Sequence, residues 1–232
     1  MAKDLFENIS IDLIYGIPDM NVDDWKRNLE DFLSFDLPHL SAYALTIEPK
    51  TALKHFIEKG RVNSVNDKEY ERQYRILLEA MKENDYINYE FSNFGKEGYF
   101  SKNNLNYWQG GNYLGIGPSA HSFDGSNRNW NVRNNIRYIQ SVLKGILPTE
   151  SESLTLSNKF NEHLMTGLRT MWGVSMEMIE DRYGIKFKEY LEDQAKESIG
   201  KDLMNIENGY LKITDKGKYL SDGLISDLFM VD

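Results

Sequence analysis

The chain contains no cysteine. That zero excludes disulfides, a thiolate nucleophile, cysteine-ligated zinc and any iron–sulfur cluster held by the chain's own thiolates. Histidine is scarce: His39, His55, His121 and His163 are the imidazoles, none in an HxxxH or HExxH spacing, so no metal site is assigned. Positive charge is short, with 27 Lys and Arg against 36 Asp and Glu for a net −9, and no long basic run follows that could track a phosphate backbone. A nucleic-acid partner is not expected. No apolar run approaches the ~18 residues of a membrane-spanning helix, and Met1 to Glu7 lacks the apolar centre of a secretion signal, so a cytoplasmic location is expected. Internal repeats and low-complexity tracts are missing too.

What is present is enough for a packed core: 232 residues, 41% hydrophobic and 12% aromatic, the length of one large domain or two small ones. Residues 9–15 form an apolar strand carrying one carboxylate, Asp12, and stopped by Gly16 and Pro18. Asn21 then caps a helix with Asp23 and Asp24 in its first turn and Trp25, Leu29, Phe32 and Leu33 at helical spacing. His39 to Ile47 resumes as a strand, giving β-α-β and parallel neighbours in an α/β barrel or open sheet. A short helix is expected near Leu53 to Glu58. An amphipathic helix follows from Asp67 to Asn84, with Tyr70, Tyr74, Leu77, Leu78 and Met81 on one face. Further strands are expected at Ile87 to Phe91 and Tyr113 to Ile116, separated by Asn-rich, aromatic loops, and a helix from Asn134 to Lys144.

A polar, proline-containing stretch from Leu147 to Ser153 marks a boundary, so residues 1–150 and 151–232 are expected as separate domains. The second reads as three helices, at about 155–171, 175–183 and 187–203, then two short strands around Asn208-Gly209 and a last helix from Asp215 to Ser226. That order suggests a winged-helix-like module. Its helices carry Glu177, Glu180, Asp181, Glu189, Glu192, Asp193 and Glu197, which disfavours DNA.

A strand that opens a chain predicts something pairing with its free side, because unpaired buried main-chain groups are costly. A missing N-terminal half and a homo-oligomer joined near residues 9–15 are the two expectations drawn from it. Asp12 in an apolar strand would be expensive to bury unless it meets a polar partner. Glu48, at the corresponding end of the next strand, is placed toward the same mouth or in a solvated loop. Leu114-Gly-Ile-Gly-Pro-Ser-Ala-His121 is a glycine-rich turn able to bring backbone amides close to a ligand, yet it has neither a third fingerprint glycine nor Gly-Lys-Ser/Thr, so nucleotide hydrolysis is rejected. Tyr89-Glu90-Phe91-Ser92-Asn93-Phe94 and Asn103-Asn104-Leu105-Asn106-Tyr107-Trp108 pair flat aromatic faces with amides. That lining suits a large planar ring with polar rims, or ordinary packing.

Taken in order, these segments resemble the radical S-adenosylmethionine family of oxygen-independent coproporphyrinogen III oxidases and their haem-chaperone relatives, the HemN/HemW group. The resemblance rests on Asp12-Leu-Ile-Tyr-Gly-Ile-Pro18, His39-Leu-Ser-Ala-Tyr43 with Ile47-Glu-Pro49, Tyr89 to Phe94, Tyr107-Trp108 and Gly115 to Ser122, and continues through Gly167-Leu-Arg169 and Trp172-Gly173. It implies the later part of a radical S-adenosylmethionine α/β barrel followed by a helical C-terminal domain. It also implies S-adenosylmethionine and a [4Fe–4S] cluster in the intact family, with a porphyrinogen or haem as partner. By resemblance Asp12 contacts S-adenosylmethionine, Ala120 and His121 lie in a loop near the cofactors, and Glu48, Glu90, Asn93, Asn104, Tyr107 and Trp108 line the tetrapyrrole pocket. The family's cluster triad, C-x3-C-x2-C, has no counterpart here. The haem-chaperone branch carries H-N-x-x-Y-W, where this chain has Asn103-Asn104-Leu-Asn-Tyr-Trp108, and an amide does not ligate iron as an imidazole does. The resemblance therefore implies a portion of an oxidase-like protein, catalytically inactive by itself. A haem chaperone and a cofactor-free remnant acting through protein contacts are the alternatives.

Overall fold

Strand β1 (Ser10–Tyr15) alternates: Ile11, Leu13 and Tyr15 turn toward helices, while Ser10, Asp12 and Ile14 turn away. The computed structural model describes residues 2–64 and 67–231, which fold as two units, Met1–Phe100 and Ser101–Asp232.

In the first unit, helix α1 (Val22–Ser34) starts at a reciprocal cap. The Asn21 side chain accepts from the Asp24 amide at 2.9 Å and the Asp24 carboxylate accepts from the Asn21 amide at 3.2 Å. Its buried stripe is Val22, Trp25, Leu29 and Phe32. Strand β2 (His39–Ala44) lies parallel to β1, as a right-handed crossover requires. After α2 (Ala52–Glu58), helix α3 (Asp67–Glu83) buries Tyr74, Leu77 and Met81, and with them Gln73, a polar side chain inside an apolar stripe. Strands β3 (Ile87–Glu90) and β4 (Asn93–Gly95) close a four-stranded sheet in the order β1-β2-β4-β3, with β4 antiparallel to both neighbours. The core sits between one face of this sheet and the helices α1 and α3.

Two expectations change here. Strand β2 stops at Ala44 rather than Ile47: the Leu45 amide still donates to the Tyr15 carbonyl at 2.9 Å, but Gly16, at φ +71, then turns β1 away from the residues that follow. The cost anticipated for Asp12 does not arise, since its carboxylate lies on the exposed face.

The second unit begins with α4 (Lys102–Trp108), N-capped by Ser101, where a loop is expected. Strands β5 (His121–Phe123), β6 (Asn127–Asn131) and β7 (Thr149–Ser153) form an antiparallel sheet in that order, and α5 (Asn135–Val142) lies between the last two. Strand β7 runs through residues 150 and 151, where the sequence suggests a boundary. Tyr113–Ile116 is not a strand. Tyr113 makes one bridge to Phe123, and Gly115 then crosses against the His121 backbone, so close that a methyl on Gly115 would lie 2.1 Å from the His121 carbonyl oxygen.

Helices α6 (Leu156–Gly167), α7 (Met176–Tyr183) and α8 (Ile185–Gly200) follow, with a second antiparallel sheet of β8 (Val174–Ser175), β10 (Tyr210–Ile213) and β9 (Met204–Glu207). Asn208 and Gly209, at φ +52 and +81, turn β9 into β10 with the left-handed pair that a two-residue hairpin demands. Helix α9 is shorter than expected, Ser221–Ser226, because the chain from Asp215 first makes turns.

Tyr183 donates its hydroxyl to the Lys159 carbonyl at 3.1 Å, so His163 Nδ1, 3.3 Å away, is the donor to the Tyr183 oxygen. Burial, with the Arg182 charge adding to it, pushes the His163 pKa down from 6.5 to about 4. The unfolded chain takes up a proton near 6.5 while the folded chain does not until about 4. The stabilisation from the neutral ring is therefore complete above pH 6.5 and is lost as pH falls toward 4, by roughly 3 kcal/mol. Urea midpoints compared at pH 7 and pH 4 should show a smaller acid loss for His163→Asn than for the parent chain. Equal losses would remove the argument.

Candidate functional site

Register lines up one polar row across the whole first sheet. Asp12 on β1 pairs with Ser41 on β2, Ser41 with Asn93 on β4, and Asn93 with Glu90 on β3. All four face away from the core residues Leu40, Ala42 and Phe94, which alternate with them. Burial rises along the row. Asp12 is exposed, whereas Ser41, Asn93 and Glu90 are buried, the last two at 3% exposure. Asn93 donates its amide to the Glu90 carboxylate. Among the described residues its Oδ1 has no hydrogen-bond partner, which leaves a buried acceptor whose desolvation costs about 1–3 kcal/mol until a donor reaches it.

A second row supports the first. Ser10 Oγ lies 2.7 Å from His39 Nδ1 and Tyr89 OH lies 2.9 Å from His39 Nε2, so both ring nitrogens are held. Burial keeps the His39 pKa below its ordinary value, against the opposing pull of Asp12. Tyr89 stacks on Phe100 at 4.5 Å, and Gly95 leaves the space in which Phe100 packs beside His39. Ser10, His39 and Ser41 are not among the site residues expected from the sequence, although His39-Leu-Ser-Ala-Tyr43 carries part of the resemblance. The polar–apolar alternation in His39-Leu-Ser-Ala was the available signal.

The other expected residues fall elsewhere. Glu48 is exposed in a turn, where its carbonyl accepts from Thr51, the N-cap of α2, at 2.8 Å. In the second unit Asn104, Tyr107 and Trp108 lie on α4. Tyr107 is exposed and packs on Tyr113 at 4.7 Å, while Asn104 and Trp108 are half-buried. Ala120 precedes β5, and His121 opens it as an exposed imidazole 6.2 Å from the Trp130 ring. A concavity of about 440 Å3 at the start of α1, lined by Asp19, Asn21, Glu69 and Arg72 among others, contains none of the expected site residues.

Residues 154–220 match the HemN C-terminal domain. The chain is similar to the protein named heme chaperone HemW of Bacillus subtilis (strain 168), at 32% identity over 94% of this chain and 58% of that protein. It is similar also to heme chaperone HemW of Lactococcus lactis, at 30% identity over 100% of this chain and 61% of that protein. Nearly the whole chain is thus similar to proteins of the HemN/HemW group. It spans about six-tenths of the length of these relatives. Its mixed α/β fold is similar to coproporphyrinogen III oxidase (HemN) of Escherichia coli, a radical SAM enzyme, with a TM-score of 0.77 at 17% identity over 99% of this chain and 56% of that one.

The groups used in a HemN/HemW protein can be tested against the residues present. A thiolate-held [4Fe–4S] cluster does not fit the given 232 residues, which supply no cysteine. S-adenosylmethionine fits the polar row: it brings hydroxyl and ammonium donors, and Asp12, Ser41 and the orphaned Asn93 oxygen offer acceptors. None of the described helices is long and apolar enough to cross a membrane.

Proposed function

We propose that the chain is part of a haem-handling protein of the HemW type, with the second unit offering the tetrapyrrole surface and the polar row of the first unit the surface for S-adenosylmethionine. The carrying observation is the exposed aromatic cluster of the second unit, where Tyr107 on α4 packs on Tyr113 beside a strand bearing an unburied histidine. A flat apolar ligand with charged rims gains from such a surface what a small polar metabolite would not. Sequence likeness favours the chaperone over the oxidase, since relatives near 30% identity bear the chaperone name and the oxidase is alike at 17%. Porphyrinogen oxidation by a complete protein is the second reading, supported by the shared fold.

In this reading the four-stranded sheet is the later part of a radical S-adenosylmethionine barrel with its inner face at the polar row, and α6 to α8 with β8 to β10 are a winged-helix-like module. Asp12, Ser41 and Asn93 hold S-adenosylmethionine. Asn104, Tyr107 and Trp108 on α4 meet the tetrapyrrole, and Glu48 stands in the segment that follows β2. S-adenosylmethionine would supply a radical only alongside a reducing cluster, so the given residues bind and orient ligands without cleaving them.

Titrating ferric haem into the purified chain and following the Soret band tests the proposal. Saturable 1:1 binding is expected, together with no 5′-deoxyadenosine after anaerobic iron–sulfur reconstitution. Introducing an imidazole on α4 with Asn103→His should tighten haem binding on the order of tenfold. Absence of saturable haem binding in both proteins would overturn the reading.

A further inference from the structure

We propose that His121 supplies the axial ligand to haem iron in this chain, an assignment that rests on the haem-handling reading above. Iron requires a ring nitrogen that is reachable and not already committed. His39 is buried, with Ser10 on one nitrogen and Tyr89 on the other. His163 is half-buried, packed on the Tyr183 ring at 5.8 Å with Nδ1 against the Tyr183 hydroxyl. His55 is exposed, but it stands on α2, a helix with no buried residue, between Lys54 and Glu58. His121 is exposed on a rigid strand, and neither of its nitrogens is hydrogen-bonded among the described residues.

The surroundings of His121 suit the rest of a porphyrin. Register puts Trp130 of β6 directly beside it, and Trp130 Nε1 donates to Glu150 at 3.0 Å, which fixes the indole. Gly115 lies against the His121 backbone, and the residues flanking that glycine, Leu114 and Ile116, are 78% and 84% exposed. Two large aliphatic side chains thus stand exposed on either side of the residue that crosses the His121 backbone. Haem also carries two propionates. Residues 125–149 contain Arg128, Arg133, Arg137 and Lys144 and no Asp or Glu, in a chain of net charge −9. Arg128 is paired with Glu152 and Glu162, but Arg133, Arg137 and Lys144 make no ion pair among the described residues. Their segment leaves the sheet beside His121, because Asn131 donates to the Ala120 carbonyl at 3.0 Å and Ser119 to the Val132 carbonyl at 3.3 Å. Binding is then a ligand exchange: the lone pair of a neutral His121 nitrogen forms the Fe–N bond and the water on ferric iron leaves.

Ferric haem titration of the whole chain, read by the Soret band and by electron paramagnetic resonance for axial ligation, tests the assignment. His121→Ala is expected to weaken binding on the order of tenfold or more and to abolish the histidine-ligated signature, while added free imidazole restores that signature. His55→Ala should leave both unchanged. If the parent chain binds no haem, the haem-handling reading fails and this assignment with it. If the parent binds haem and His121→Ala keeps the same affinity and spectrum, the assignment alone is overturned.

Discussion

Gly16→Ala is expected to destabilise the first unit by about 3–4 kcal/mol, a fall in its melting temperature on the order of 10–20 °C. The glycine ends β1 at φ +71, a backbone state in which a β-carbon is strained. A methyl there would lie 1.9 Å from Cε1 of Tyr70. Displacing the ring would disturb the hydrogen bond its hydroxyl donates to the Leu45 carbonyl at 2.7 Å and its edge contact with Tyr15 at 6.5 Å. The Gly16 amide meanwhile donates to the buried Gln73 side chain at 2.8 Å, so a shift of the glycine also breaks this bond. Gly60→Ala is the comparison: its φ is +65, but nothing lies within 4 Å, and only the backbone penalty of about 1 kcal/mol remains. Thermal unfolding that ranks the two variants equal would show that the Tyr70 contact contributes nothing.

Asp12 reaches the exposed face of the sheet through the alternation of β1. The sequence marks Asp12 by contrast, one acid among Ile, Leu and Tyr, and the alternation that exposes it is local to β1. Its row partners are not local. Ser41 comes from a strand about thirty residues on, and Asn93 from a three-residue strand whose extent is set by β2 and β3 rather than by its own composition. Helices α1 and α3 were legible because their apolar spacing is sustained over 13 and 17 residues. Helix α4 was not, because asparagines favour loops and caps, and only the Ser101 cap and its packing make Lys102–Trp108 helical. Strands β5, β6 and β7 were missed for a related reason. Asn127-Arg-Asn-Trp-Asn131 and Thr149-Glu-Ser-Glu-Ser153 have almost no apolar face, and their order comes from pairing with each other. The Gly173 of Trp172-Gly173 carries a backbone requirement: a methyl on it would lie 2.3 Å from the Leu211 carbonyl oxygen of β10. That part of the family pattern therefore speaks for the fold of the second unit and not for its ligand.

Trp25→Ala should have the largest effect of any single change in the first unit, about 4–6 kcal/mol. Trp25 is completely buried, the largest such side chain, and its ring meets Tyr15 at 5.7 Å. Emptying the site costs the transfer of the indole and the cavity left behind. It also removes the hydrogen bond that Trp25 Nε1 donates to the Gln73 carbonyl at 2.9 Å, a second bond on a carbonyl inside helix α3. Gln73 is the knot of the unit, since its side chain binds the Gly16 amide and the Met20 carbonyl while its own carbonyl holds Trp25. A loss of this size is comparable to the whole stability of a typical domain. Hydrogen exchange is therefore expected to lose protection together in α1, α3 and β1 to β4, and the polar row of Asp12, Ser41, Asn93 and Glu90 to disperse with it. Trp25→Phe separates the two contributions, because it keeps most of the ring and removes the N–H. Its expected cost is about 1–3 kcal/mol, and its protection should fall mainly around Gln73. If Trp25→Ala keeps the exchange protection of the parent chain, neither the packing nor the hydrogen bond holds the sheet on its helices, and the position of Asp12 must be set by something other than this core.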